Sequence, residues 1–519
     1  MIKLQNKKVL FLLFFFVLSL IKTDFRFDEI FYGESVDDAE YYYHAVTLAL
    51  DFDLDYSNQM VGVENRFLNF ENDNIVPFHP LGSGVLSFPF VMISDLLFKN
   101  SKSDFLISYN YFFYSLVSIF YLFISLKILS KVLQMLNIAH NKLDILFLTF
   151  STGIAYFAFE RFSMSHIYEF FSVSFIILLT LSIFEEKTEY INMKKFFLSF
   201  LGFVFLSIRW TNYFLFLVPF LFLLILNKKF GTLLMNKYYL SGGILGASLF
   251  LMHTKYLYGI YTFNQAPIVL SVEGSFTSNY ERFFELEKIV ENISFLFGNL
   301  LKILFTYEFG IFYFAPILFI SVFFCVYFVY TKKYSFFLIY SLILSIPFLT
   351  IMVVQNTAFS YGFRYLFVLI PLNIILYFIF LEKFKYLRLY VYIFSLIGLI
   401  GYIVFETSTL TSLSEGYVFN TFGMETRYSN PEYLKNIFVV LLDINTYSHI
   451  IFTSFLGVLI IKILNLFTNP ELFISKFTNL NEKTIDYIEI YIQFSWVKLF
   501  FLLTLILFLL WYYLKDRNY

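Results

Sequence analysis

Cysteine is almost absent from this chain of 519 residues. The single one, Cys325, lies inside an apolar stretch, which excludes an intramolecular disulfide and any zinc or iron–sulfur site built from cysteine thiolates. Charge is scarce as well. Asp, Glu, Lys and Arg make up 14% of the residues and the formal net charge is −1, so no global basic surface argues for a nucleic-acid partner. Neither a P-loop glycine pattern nor a dinucleotide fingerprint occurs, which leaves a mechanism driven by ATP or a nucleotide-linked donor without support. Repeats, Gly/Ser linkers and low-complexity blocks are missing too, so nothing points to a tandem array or a separate soluble domain.

What the chain has is apolar surface. Hydrophobic residues make up 59% of it and aromatic residues 23%, far from soluble-domain usage. Thirteen apolar stretches can be marked: 9–23, 105–130, 143–160, 168–184, 196–209, 211–227, 238–258, 307–330, 335–354, 365–381, 386–405, 448–467 and 497–514. Most approach the roughly 20 residues with which an α-helix crosses about 30 Å of hydrocarbon. Because open sheet edges would leave backbone groups unpaired in lipid, the expectation is an all-α polytopic membrane protein with about 13 transmembrane helices. Stretches 196–209 and 211–227 also read as one bent element. The start, MIKLQNKK before VLFLLFFFVLSLI, has the basic head and apolar core of a signal peptide but no small-x-small cleavage site, and reads as an uncleaved first span.

Loop charge tests this segmentation. With the N-terminal lysines inside, the inner loops carry Lys131 and Lys142, then Lys187, Lys194 and Lys195, then Lys228, Lys229 and Lys237, then Lys332 and Lys333, then Lys383, Lys385 and Arg388. The outer loops are acidic: residues 24–80 hold thirteen Asp or Glu against Arg26 and Arg66, and 406–447 hold five against Arg427 and Lys435. The side of the C-terminus stays open. Chemistry above the bilayer would fall in the outer loops 24–104, 259–306 and 406–447.

The first outer loop carries the richest pattern. In SVDDAEYYYHAVTLALD, residues 35–51, Ser35 can cap a helix with Asp37 and Asp38 in its first turn. Ala39, Tyr43, Val46 and Leu50 fall on one face, and Glu40, His44, Thr47 and Asp51 on another, the pattern of a helix lying along the membrane surface. DFDLDYSNQ follows, then VPFHPLGSGVLSFPFVMISDLLF, a second interfacial helix with His79 and Pro80 at its entrance.

This order of span, acidic surface helix, turn, second surface helix and span resembles the membrane glycosyltransferases that use polyprenyl-phosphate sugars, of GT-C type. Protein O-mannosyltransferases and lipid A aminoarabinose transferases belong to that superfamily. Asp37 and Asp38 match its acidic pair, and His79, Pro80 and Gly82 match its Lys-Pro-Pro or His-Pro-Pro-Gly entrance, with Leu81 in place of the second proline. MSHIYEF at 164–170, IRWTN at 208–212 and SYGFRY at 360–365 look like outer-edge signatures of bacterial members. The match covers roughly residues 1–380. It suggests a catalytic module over 1–405, with 406–519 of unassigned role.

The resemblance implies transfer of a sugar from a polyprenyl-phosphate carrier to a glycan, lipid or protein acceptor. The site would face outward across a bacterial-type inner membrane. Such a reaction needs a base for the acceptor and cations for the departing phosphate. Asp37, or alternatively Asp38, is the candidate base. Arg364, His79 and Arg209 are the candidate phosphate contacts. His166, Glu169 and Tyr361 are candidate acceptor or sugar contacts. Arg364 is a basic residue in an outer loop, against the positive-inside tendency. Bland readings stand beside these: the acid pair as a helix cap, Arg209 as a snorkelling residue, and His166 with Glu169 as an interhelical hydrogen bond. Some relatives use divalent ions, but no ligand spacing here defines a metal site. A transporter or flippase of lipid-linked sugars is the rival from another class. It should place ionisable residues mid-span, where few occur. A glycan polymerase or ligase, with its key loop late in the chain, is the third reading.

Overall fold

The computed structural model describes residues 36–59, 76–77, 79–99, 103–185, 190–209, 211–263, 310–354, 364–408, 454–469 and 494–515. It adds scattered positions near 9–21, 298–305, 442–451 and 492, and leaves aside the side chains of 36–37, 103–108, 350–354 and 404–408. No strand occurs among the described residues. Helix α1 is Val36–Val46, α2 Gly82–Phe98, α3 Ser103–Met135, α4 Lys142–Phe150, α5 Gly153–Phe159, α6 His166–Phe184, α7 Ile191–Leu206, α8 Val218–Ile225 and α9 Lys237–Tyr258. Then follow α10 Ile320–Tyr330, α11 Tyr334–Val354, α12 Ile370–Lys383, α13 Arg388–Ser408, α14 Phe455–Leu464 and α15 Trp496–Lys515.

Each apolar stretch is largely helical where it is described, yet helicity and membrane crossing are different properties. Five helical segments are long and apolar enough to cross: Tyr109–Met135, His166–Phe184, Arg364–Lys383, Lys385–Ile403 and Trp496–Lys515. A sixth is the pair α4 and α5, which together qualify but bend by 81° at their junction. The fold is therefore an all-helical, multi-pass membrane fold, and the expected thirteen spans are not reached among the described residues. One part of the shortfall lies in shorter helices. Stretches 196–209 and 211–227 become α7, a turn, a 3-10 segment over Asn212–Phe216 and α8, and the latter two together form a short apolar helix.

Exposed apolar side chains mark the lipid-facing belt: Ile244, Leu249 and Met252 on α9, Val322, Phe323 and Val326 on α10, Phe500 and Leu507 on α15. In lipid such exposure costs little, so helices associate through close packing and polar contacts instead. The seam of α7 with α9 shows the first: Gly242 and Gly246 face the α7 backbone, and a Cβ at Gly246 would stand 3.0 Å from the Phe200 carbonyl oxygen.

Two of the residues that loop charge assigns to the inner side, Lys142 and Arg388, lie at one end of the bundle. Arg388 lies 3.3 Å from Asp144, while Lys142 Nζ donates to the Tyr513 carbonyl at 2.9 Å and the Tyr513 hydroxyl donates to the Lys142 carbonyl at 2.9 Å. Helix α15 runs parallel to α3, with Lys498 near the Tyr109 ring at one end and Lys127 over the Tyr512 ring at the other. The last helix therefore finishes beside the inner lysines, a point that loop charge left open.

Candidate functional site

The opposite end of the bundle gathers nearly all of the candidate residues. Helix α1 forms over the acidic segment, passes through one π turn at Thr47–Asp51 and stops at Phe52, whose φ of 59° breaks the helix. Its two faces are used mostly the reverse of the surface-helix expectation. Glu40, His44 and Thr47 are fully buried and only Asp51 of the polar face is exposed, while on the apolar face Ala39 is buried, Tyr43 and Val46 are half-buried and Leu50 is exposed. Glu40 and His44 are buried because they find partners. Glu40 Oε2 accepts the His79 backbone N–H at 3.0 Å and Nδ1–H at 2.7 Å. His44 Nε2–H donates to the His79 carbonyl at 2.8 Å, and the Tyr56 hydroxyl donates to His44 Nδ1 at 2.7 Å. Burial pushes His44 down to about 3, so its ring is neutral and these donor directions follow.

Glycine permits the approach of α2 to α1. A Cβ on Gly84 would overlap the His44 Cβ, and one on Gly82 would lie 2.5 Å from the Ile208 nitrogen. The Gly82 N–H donates to the Ser207 carbonyl at 2.8 Å, tying the His79 turn to the end of α7.

Arg161 sits in the turn between α5 and α6, and it forms a buried ion pair with Asp38. Beside it, the buried carboxylate of Glu160 accepts from the Tyr402 hydroxyl of α13. The bend that brings them in is built locally: Thr152 caps α5 by accepting the Ile154 N–H at 3.3 Å. On α6, Glu169 Oε2 lies 3.1 Å from His166 Nδ1 and 3.2 Å from Arg209 Nη1, so His166 and Glu169 do share one helical face. The Phe157 ring packs 4.3 Å from the His166 ring, and His166 Nε2 meets no partner among the described residues. Arg209 and Arg364 lie 4.7 Å and 5.5 Å from the Tyr365 ring centroid. His166 is within electrostatic reach of Arg161, Arg209 and Arg364 together.

The structure thus brings Asp38, His79, His166, Glu169, Arg209 and Arg364 to one end of the bundle. The Asp37 side chain and all of Tyr361 lie outside the described residues. Arg209 is buried in an ion pair, so the snorkelling reading of it does not hold. Arg161, Glu160 and Tyr365 escaped the sequence reading. For Arg161 a signal existed: like Arg364, it is a basic residue on the side that loop charge predicts to face outward, and it stands beside MSHIYEF. Among the described residues, no three His, Cys, Asp or Glu side chains are grouped to hold a metal ion.

These observations define a class: an all-helical, multi-pass membrane protein with a buried cluster of paired ionised groups at one end. Compared with known proteins, the chain matches no family model, no curated protein and no solved structure.

Proposed function

We propose that this protein is a membrane glycosyltransferase that moves a sugar from a polyprenyl-phosphate carrier to a glycan, lipid or protein acceptor. It would act at the outer face of a bacterial-type inner membrane that it crosses about thirteen times. One observation carries the reading: five separate segments, the acid-bearing α1, the His79 turn, the 160–169 stretch, the end of α7 and the Arg364 region, converge on one cluster. Ionisable groups held within a membrane bundle are costly and point to function by default.

In the reaction, the bond from the anomeric carbon to the phosphate oxygen breaks, and its electron pair leaves on polyprenyl phosphate. The acceptor oxygen or nitrogen bonds to that carbon, and its proton passes to a carboxylate and then to water. Asp37 suits that role better than Asp38, whose carboxylate is committed to Arg161. Arg364, with a half-buried side chain, is the readiest of the arginines for the phosphate, since Arg161 and Arg209 already face carboxylates. His79 adds a third contact, and His166, Glu169 and Tyr361 complete the acceptor or sugar side.

The test is sugar transfer by purified, detergent-solubilised protein from a panel of polyprenyl-phosphate sugars to membrane extract. Asp37→Asn and Arg364→Ala should each lower the rate by about 100-fold or more in folded protein. Transfer unchanged in both would sink the site assignment. No transfer from any donor would move the transporter reading ahead.

A further inference from the structure

His79 is held from several sides. Three residues of α1 hold it: Glu40 binds its backbone N–H and Nδ1–H, His44 binds its carbonyl, and the Tyr41 ring packs 4.7 Å from its ring. Glu40 and His44 stand one helical turn apart, so a single face of α1 fixes both backbone and ring of residue 79. An ionised carboxylate only accepts hydrogen bonds, which places a proton on Nδ1 and settles how the ring is turned.

Exposure separates the two partners. The Glu40 side chain is 2% exposed and that of His79 20%, so the carboxylate is sealed inside while the imidazole reaches the accessible surface. The groups around the pair are named readily. From α1 come Glu40, Tyr41 and the neutral His44, from the following turn Tyr56, from α9 Tyr258, within electrostatic reach of Glu40, and His253, within reach of His44, and from the end of α7 Arg209, which reaches the Tyr41 hydroxyl. Arg209 brings a positive charge beyond the Tyr41 ring, but the Glu40 carboxylate is nearer, at 2.7 Å from Nδ1. A carboxylate at hydrogen-bond distance favours the doubly protonated ring.

We infer that Glu40 is the positioning residue for His79, fixing its imidazole and holding it as a cation for the phosphate of the donor, a role that rests on the transferase reading above. A lysine at position 79 would carry its charge unaided, whereas a histidine needs a buried carboxylate to keep it near neutral pH. The polar stripe of α1 thereby gains a purpose beyond packing.

Long-range proton–nitrogen spectra of the full-length, detergent-solubilised protein labelled with 15N-histidine report the ring protons without donor or transfer. The His79 signals are assigned through His79→Gln. The expected result is a doubly protonated His79 near neutral pH in the wild type, and a midpoint lower by about one unit or more in Glu40→Gln. The signals of His140, which bonds Ser130 near the other end of the bundle, should not move. A His79 that is neutral in the wild type at that pH overturns the inference, as does an unchanged midpoint in a folded Glu40→Gln. The wild-type measurement decides even where the variant fails to fold. In the transfer assay, activity should fall as pH rises through the His79 midpoint, and in Glu40→Gln the fall should begin at lower pH. Absence of transfer in the wild type would sink the function proposed above while leaving the Glu40–His79 result standing.

Discussion

At the residue scale, the buried ion pairs dominate. Asp38 and Arg161 are 6% and 7% exposed at the side chain, so neither charge has water to fall back on. Removing one partner of such a pair costs far more than replacing both. Arg161→Met should destabilise the protein by about 3–5 kcal/mol, and Asp38→Asn/Arg161→Met by clearly less. Thermal melts in detergent would read the difference, and equal losses in both variants would show that the pair is not the unit. His44 sets a pH dependence of its own. Its folded value of about 3 lies below the ordinary 6.5, so the unfolded chain binds the extra proton first as pH falls. Its contribution is fully present above about 6.5 and is lost on acidification toward about 3. The melting temperature of the wild type should fall through that window more steeply than that of His44→Gln, which keeps a donor but cannot titrate. Parallel slopes would refute the assignment.

At the element scale, α1 and α2 work as one unit whose spacing is set by glycine. A Cβ at position 84 would overlap the His44 Cβ and stand 3.0 Å from its carbonyl carbon, leaving no room for a side chain. Gly84→Val should therefore push α1 away, at a cost of about 1–3 kcal/mol from overpacking, and should weaken the hold of Glu40 and His44 on residue 79. A melt together with the His79 signals in the spectra described above would check both effects. A variant with wild-type melting and an unchanged His79 environment would show that the helices do not approach as described. The bend between α4 and α5 has the same standing. The α5 arm it sets leads into the turn that carries Glu160 and Arg161, which are buried against Tyr402 and Asp38.

At the scale of the whole molecule, the bundle has two chemically distinct ends. One carries Lys142, Asp144, Arg388 and the end of α15, and the other carries the acidic helix and the arginine cluster. With Cys325 replaced by serine, single cysteines at the exposed positions Lys131, Lys385 and Lys515 should react with an impermeant thiol reagent from one side of oriented vesicles. Cysteines at the exposed positions Asp53 and Tyr261 should react from the other. Labelling of position 515 together with position 53 would contradict the parallel course of α3 and α15.

How much of this was legible beforehand differs by kind of property. Membrane class, most helix positions and the side on which His79, His166, Glu169, Arg209 and Arg364 fall follow from the sequence alone, because hydropathy and charge act on each residue against its solvent wherever its partners are, whereas the choice of those residues came from the resemblance. The number of crossings did not follow, since an apolar stretch can pack as a short or broken helix as well as span. Partnership was decided only by tertiary structure. Asp38 and Arg161 are 123 residues apart, Glu40 and His79 39, and Tyr402 and Glu160 242. No local pattern encodes such pairs, because they form only when distant helices pack and exclude the water that would otherwise satisfy each charge. The same packing turned the polar stripe of α1 from an expected surface into the interior of the site.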